Sequence, residues 1–112
     1  MIGAYAFASC TSLTSLSLVG SFQTIGDCAF ASCGMTSLTI DATITSIEKY
    51  AFSSNSLTSL SLTGNVQKIG DYAFANCTSL TSLSLTGNIQ KIGDHAFDSC
   101  SSLNTVTLPK SL

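Results

Sequence analysis

The chain is 112 residues long, 45% hydrophobic and only 9% charged, with no arginine and a formal net charge of −2. Four lysines against six carboxylates do not form the clustered cations that phosphate recognition needs, which argues against a nucleic-acid partner. No apolar run approaches the roughly 18 residues needed to cross a bilayer, and Met1-Ile2-Gly3-Ala4 lacks the basic and apolar regions of a signal peptide, so no membrane insertion is expected.

Isoleucine recurs at Ile2, Ile25, Ile47, Ile69 and Ile92, and phenylalanine five positions later at Phe7, Phe30, Phe52, Phe74 and Phe97, every 22 or 23 residues. A fixed period of this length marks a solenoid. Five copies follow, at 2–24, 25–46, 47–68, 69–91 and 92–112, as one array that reads as a segment of a longer one.

Within each copy the columns keep their character. The leucine columns read Leu13, Met35, Leu57, Leu80, Leu103; then Leu16, Leu38, Leu60, Leu83, Val106; then Leu18, Ile40, Leu62, Leu85, Leu108. A fourth column, Phe22, Ile44, Val66, Ile89 and Leu112, precedes the isoleucine. No single copy can enclose such side chains, so each buries them against its neighbours, at about 1.5 to 3 kcal/mol per large apolar residue.

Small polar residues alternate with the last leucines, as in Ser15-Leu16-Ser17-Leu18 and Ser82-Leu83-Ser84-Leu85, which predicts one short strand per copy with one buried face. Long return paths make these strands parallel, in one narrow sheet. Turn chemistry follows at Val19-Gly20-Ser21, Thr63-Gly64-Asn65 and Thr86-Gly87-Asn88. Next come Asp27-Cys28-Ala29-Phe30, Asp71-Tyr72-Ala73-Phe74 and Asp94-His95-Ala96-Phe97, where an aspartate is placed to cap a short helical turn. The expected fold is an α/β solenoid: a right-handed coil with short parallel strands on a concave face and short helical turns on a convex one.

The unit Ile-Gly-Asp-x-Ala-Phe-x-x-Cys-x-x-Leu-x-x-Leu-x-Leu resembles the BspA-like class of the leucine-rich repeat superfamily, over essentially the whole chain. Copy three departs from it, with Ile47-Glu48-Lys49-Tyr50 in place of the glycine and aspartate and Asn55 in place of the cysteine. Copies two and three are each one residue shorter, at Cys33-Gly34-Met35 and Asn55-Ser56-Leu57, and the family's proline survives only at Pro109. The resemblance implies adhesion to host surface or matrix proteins and a cell-surface or secreted location.

Cys10, Cys33, Asn55, Cys77 and Cys100 form one column, and the exchange of cysteine for asparagine suits an inward position bonded to backbone of an adjacent coil. No Cys-x-x-Cys spacing is present, so neither a metal nor any cofactor is expected. Bridges between Cys10 and Cys33 or Cys77 and Cys100 are within reach by Cα distance, yet parallel Cβ vectors disfavour them. Cys28 stands in the column of Tyr5, Tyr50, Tyr72 and His95, an outward position, and is the thiol expected to react. His95 and Asp94 belong to the turns whereas the serines belong to the strands, so no Ser-His-Asp arrangement and no enzyme is expected. Asn76-Cys77-Thr78 matches the glycosylation pattern, a match that arises often by chance.

One surface remains as a candidate binding face: Ser15, Ser37, Ser59, Ser82 and Thr105 in one row, Ser17, Thr39, Ser61, Ser84 and Thr107 in the next. Small hydroxyl residues suit any solvated strand. Read functionally, the same rows form an uncharged grid of donors and acceptors suited to weak, multivalent contact with protein or glycan. The ends offer an alternative: with an apolar residue near each terminus, uncapped coils would stack head to tail into a self-assembled filament.

Overall fold

The computed structural model describes residues 1–20, 23–42, 44–62, 66–85 and 89–108, with the side chains of Asp41 and Ala42 excepted. Phe22 and Leu112 of the fourth apolar column, the turn residues Ser21, Thr63, Gly64, Asn65, Thr86, Gly87 and Asn88, and Pro109 and Lys110 lie outside them.

Two strand segments recur along the coils rather than one, five long and four short among the described residues. The longer are β1 (Ser15–Gly20), β3 (Ser37–Ala42), β5 (Ser59–Leu62), β7 (Ser82–Leu85) and β9 (Thr105–Thr107); the shorter are β2 (Thr24–Ile25), β4 (Ser46–Ile47), β6 (Lys68–Ile69) and β8 (Lys91–Ile92). All pairings are parallel and join equivalent letters of successive copies, as in Leu60 with Leu83 or Ile47 with Ile69. The short segments form one four-stranded sheet, β2-β4-β6-β8, which an isolated bridge from Ile2 to Ile25 extends into the first coil. The molecule is therefore a parallel β-solenoid.

The long strands do not make the single sheet expected. They split into β1-β3 and β5-β7-β9. The split falls between the two shortened copies. Thr36 N donates to Thr14 O and Thr81 N to Thr58 O ahead of the paired strands, but between copies two and three the backbone bond is Ser56 N to Met35 O, set earlier in the chain.

Nor are there helical turns: the described residues contain no helix. The Ile-to-Cys stretch instead alternates two kinds of bond. Tyr5, Phe7 and Ser9 donate their amides to the carbonyls of Asp27, Ala29 and Ala31 one coil on, while Ala6, Ala8 and Cys10 donate three residues back within their own coil. The inter-coil bonds repeat from the first coil to the fourth, and every coil carries left-handed backbone twice, at Tyr5 and Ser9, Cys28 and Ser32, Tyr50 and Ser54, Tyr72 and Asn76, and His95 and Ser99, all with φ between 57 and 60°. A helix would spend these amides internally. Here they join the coils, and that exchange offsets a cost of about 1 kcal/mol or more per left-handed residue.

The aspartates correspondingly do not cap their own turns. Asp71 Oδ1 accepts the amide of Asp94 in the following coil at 2.8 Å. The preceding glycines serve close approach: a Cβ on Gly26 would lie 2.8 Å from Ile2 O and Ala4 N, and one on Gly70 2.7 Å from the Glu48 carbonyl carbon.

The core runs the length of the stack. Phe30, Phe52 and Phe74 are fully buried, their rings stacked at 5.3 Å in near-parallel planes, with Ile25, Ile47, Ile69, Leu57, Leu80, Ile44 and Val66 around them. Burial fades at the ends of the described stack. Phe7 remains 46% exposed although it stacks on Phe30, and Val106 and Leu108, both expected inside, are exposed because no described coil follows them.

Candidate binding face

The hydroxyl rows fall on the outward side of the long strands. In β5, Ser59 and Ser61 are exposed while Leu60 and Leu62 are buried; β7 repeats this with Ser82 and Ser84 half-buried against buried Leu83 and Leu85. Ser15, Ser17, Ser37, Thr39, Thr105 and Thr107 are exposed. Parallel register aligns Ser59, Ser82 and Thr105 in one row and Ser61, Ser84 and Thr107 in the next, and pairs Ser15 with Ser37 and Ser17 with Thr39. The grid thus consists of two patches, separated where β3 and β5 fail to pair.

Beside these rows, Thr14, Thr58 and Thr81 carbonyls receive hydroxyl or amide donors from the next coil: Thr36 Oγ1 reaches Thr14 O at 3.1 Å and Thr81 Oγ1 reaches Thr58 O at 3.0 Å. The Thr36 and Thr81 hydroxyls are thereby committed to the stack. Among the described residues the serines of the long strands make no such bond, whereas Thr105 Oγ1 in the same row donates to Asn104 Oδ1 at 3.1 Å, and an uncommitted hydroxyl offers one donor and two acceptor sites to a ligand.

The cysteine column joins coils. Cys33 Sγ donates to Phe7 O at 3.1 Å, Cys77 Sγ to Phe52 O at 3.6 Å and Cys100 Sγ to Phe74 O at 3.4 Å, in each case the phenylalanine carbonyl one coil earlier. Asn55 does the same, donating Nδ2 to Phe30 O at 3.0 Å and to Phe52 O at 2.9 Å, while its Oδ1 accepts the amide of Met35 at 2.9 Å. That last bond explains the exchange. In copies of full length the leucine amide turns back to its own cysteine carbonyl, as from Leu13 to Cys10 and Leu80 to Cys77; the shortened Cys33-Gly34-Met35 instead hands its amide to the next coil, where a carbonyl oxygen is a better acceptor than a thiol.

All five thiols are free. Burial pushes Cys77 up to about 11 and raises Cys33 and Cys100 as well, so these three stay protonated and unreactive at neutral pH. Cys10 is exposed at the first coil, and Cys28 is half-buried on the turns, where its thiol pushes the Tyr5 hydroxyl above its ordinary value.

The column of Cys28 holds a feature the sequence reading missed. Tyr50 stacks on Tyr72 at 4.9 Å and Tyr72 on His95 at 5.0 Å, an aromatic rail along the turns, with Tyr50 41% exposed. His95 also lies 3.9 Å from Asp98. Asn76 is exposed in left-handed backbone. Among the described residues no group of histidine, cysteine and carboxylate side chains converges as a metal site would.

Stacked parallel coils, inward cysteine donors and a phenylalanine spine give each copy the same internal grammar, and a family model described as the BspA type leucine rich repeat region (6 copies) matches residues 1–112. The chain belongs to this BspA-type leucine-rich repeat family. Its fold is shared with the crystal structure of a leucine rich cell surface protein from Faecalibacterium prausnitzii A2-165, at 17% identity and a TM-score of 0.67. The alignment covers 96% of this chain and 44% of that one, so the chain spans less than half the length of its structural neighbour. A comparison with curated proteins gives no match. No helix among the described residues is long and apolar enough to cross a membrane.

Proposed function

We propose that this BspA-type array is a non-catalytic binding scaffold, displayed at a cell surface, which adheres to protein or glycan through the Ser/Thr face of its long strands. The observation carrying this reading is the separation of tasks. Interior coils are held by backbone, cysteine, asparagine and phenylalanine contacts, whereas the strand hydroxyls stand in aligned, outward, uncharged rows outside those ladders. Aromatic anchors, which dominate tight interfaces, are absent from the described rows, so contact is weak and multivalent. Host-surface or matrix proteins are the partners that the family resemblance suggests, and the surface location named for the structural neighbour agrees with display outside the cell.

The test is a pull-down with extracellular-matrix proteins and a glycan array, comparing the wild type with Ser59→Glu/Ser84→Glu. Capture that disappears in the charged variant supports the reading. Capture that survives it moves the binding face elsewhere.

A specific observation also favours a second reading, head-to-tail self-assembly. The carbonyls of Ala4, Ala6 and Ala8 are the equivalents of those that accept inter-coil bonds at Asp27, Ala29 and Ala31, and the amides of His95, Phe97 and Ser99 are the equivalents of the donors at Tyr72, Phe74 and Asn76. Matching rows of acceptors and donors, beside an apolar recess of about 260 Å³ lined by Ile2, Phe7, Leu13, Leu16, Leu18 and Phe30, fit a further coil, of a longer array or of a second copy. Light scattering against concentration distinguishes the two: growth of the mean mass indicates self-association, a constant monomer mass rejects it.

A further inference from the structure

In a chain with four lysines and six carboxylates, three of each line one recess of about 260 Å³: Lys49, Lys68 and Lys91 with Asp27, Glu48 and Asp71. It lies where the short β-ladder enters the turns and shares no lining residue with the hydroxyl rows. Such concentration in so uncharged a protein is not a requirement of stacking. Glycine is what stacking favours at the entry to the turn, since a Cβ on Gly93 would stand 2.5 Å from the backbone nitrogen of Asp71. Copy three nevertheless carries Glu48-Lys49 where copies two, four and five carry Gly-Asp. The inter-coil bond there is longer, 3.0 Å from Glu48 N to Ile25 O against 2.7 Å from Gly70 N to Ile47 O. The irregular copy thus puts charge into the recess where the copies beside it keep glycine.

The charges in the recess are unevenly matched. Glu48 is committed to the Ser46 hydroxyl and to Lys68, the latter at 3.5 Å, and Asp71 Oδ1 to the Asp94 amide. Lys68 and Lys91 are register partners on β6 and β8, adjacent rungs about 4.8 Å apart, where like charges oppose each other. Among the described residues no carboxylate pairs with Lys91 or Lys49. A single carboxylate from outside would bridge the Lys68 and Lys91 ammonium groups. Asp27 and the remaining oxygen of Asp71 would then accept hydrogen bonds from neutral donors. A pair of cations beside hydroxyl acceptors suits one carboxylate on a polyhydroxylated frame. A polyacidic peptide would instead meet three resident carboxylates.

We propose that this recess is a second binding site, for an acidic saccharide whose carboxylate lies between Lys68 and Lys91 and whose hydroxyls donate to Asp27 and Asp71. The aromatic rail adjoins it in sequence, with Lys49 and Asp71 immediately preceding Tyr50 and Tyr72.

The test is an NMR titration of the full chain with a glucuronate-containing tetrasaccharide, with the same tetrasaccharide after reduction of its carboxyls to alcohols, and with triglutamate. Lys68 and Lys91 are exposed, so Lys68→Gln/Lys91→Gln should keep the fold, checked by circular dichroism. Glucuronate should shift the amides of Lys68, Gly70 and Lys91, and affinity should fall about tenfold or more for the reduced sugar and for the double variant, as expected for loss of a charge-assisted contact. Ser59→Glu/Ser84→Glu should bind it as the wild type does, which keeps this result separate from the fate of the hydroxyl face. Equal binding of the neutral sugar, tighter binding of triglutamate, undiminished binding by the lysine variant, or no shifts at saturating sugar would each overturn the proposal.

Discussion

Asn55 donates to Phe30 O, Phe52 O and Ser53 O and accepts from Met35 N, all in the buried core. Asn55→Cys would restore the residue of the other copies yet leave the Met35 amide without its acceptor. An orphaned buried amide costs about 1–3 kcal/mol, and urea unfolding should show a loss of that size, which the repeat consensus alone would not foresee. Cys77 makes a complementary prediction. Its folded-state value, raised to about 11 from an ordinary 9.0, means that the folded protein holds the proton more tightly than the unfolded chain does. The associated stability is present in full below pH 9 and is lost as pH rises towards 11, by about 2–3 kcal/mol. Stability measured from pH 8 to pH 11 should therefore decline, and Cys77→Ala should flatten part of that decline.

At the scale of the element, the phenylalanine spine dominates. Phe52 is fully buried between Phe30 and Phe74, so Phe52→Ala should lower stability by about 3–5 kcal/mol in chemical denaturation. Gly93→Ala should cost about 1–3 kcal/mol, since its Cβ would press on Asp71. The spine and leucine columns were legible because period and apolar character coincide in every copy. The turns were not. Asp-x-Ala-Phe imitates a capped helical start, while the left-handed positions are occupied by Tyr50, Tyr72 and Ser54 rather than by the glycine that would betray them. The short ladder escaped notice because segments such as Lys68–Ile69 hold two residues, too few to show alternation. The hydroxyl rows could be read as a periodic column, but their division into two patches depends on one-residue shortenings whose effect on pairing only appears in the folded coil. The charged recess was equally hidden, because its lining is drawn from separate copies.

Across the whole molecule, the design is one of repeated edge-to-edge bonding that leaves the faces free. Ser59→Ala, on the exposed strand face, should change stability by no more than about 0.5 kcal/mol, in contrast to Phe52→Ala. The same logic locates weakness at the ends, where Phe7 and Val106 are exposed, and strength in the middle coils. Amide hydrogen exchange followed by NMR tests this most directly. The amides of Phe30, Phe52 and Phe74, each bonded at 2.8 Å to a carbonyl of the next coil, should exchange slowest and only through global unfolding, while that of Phe97 exchanges early. Fast exchange at Phe52, on a par with the exposed amides of the turns, would contradict the stacked coil on which both binding surfaces rest.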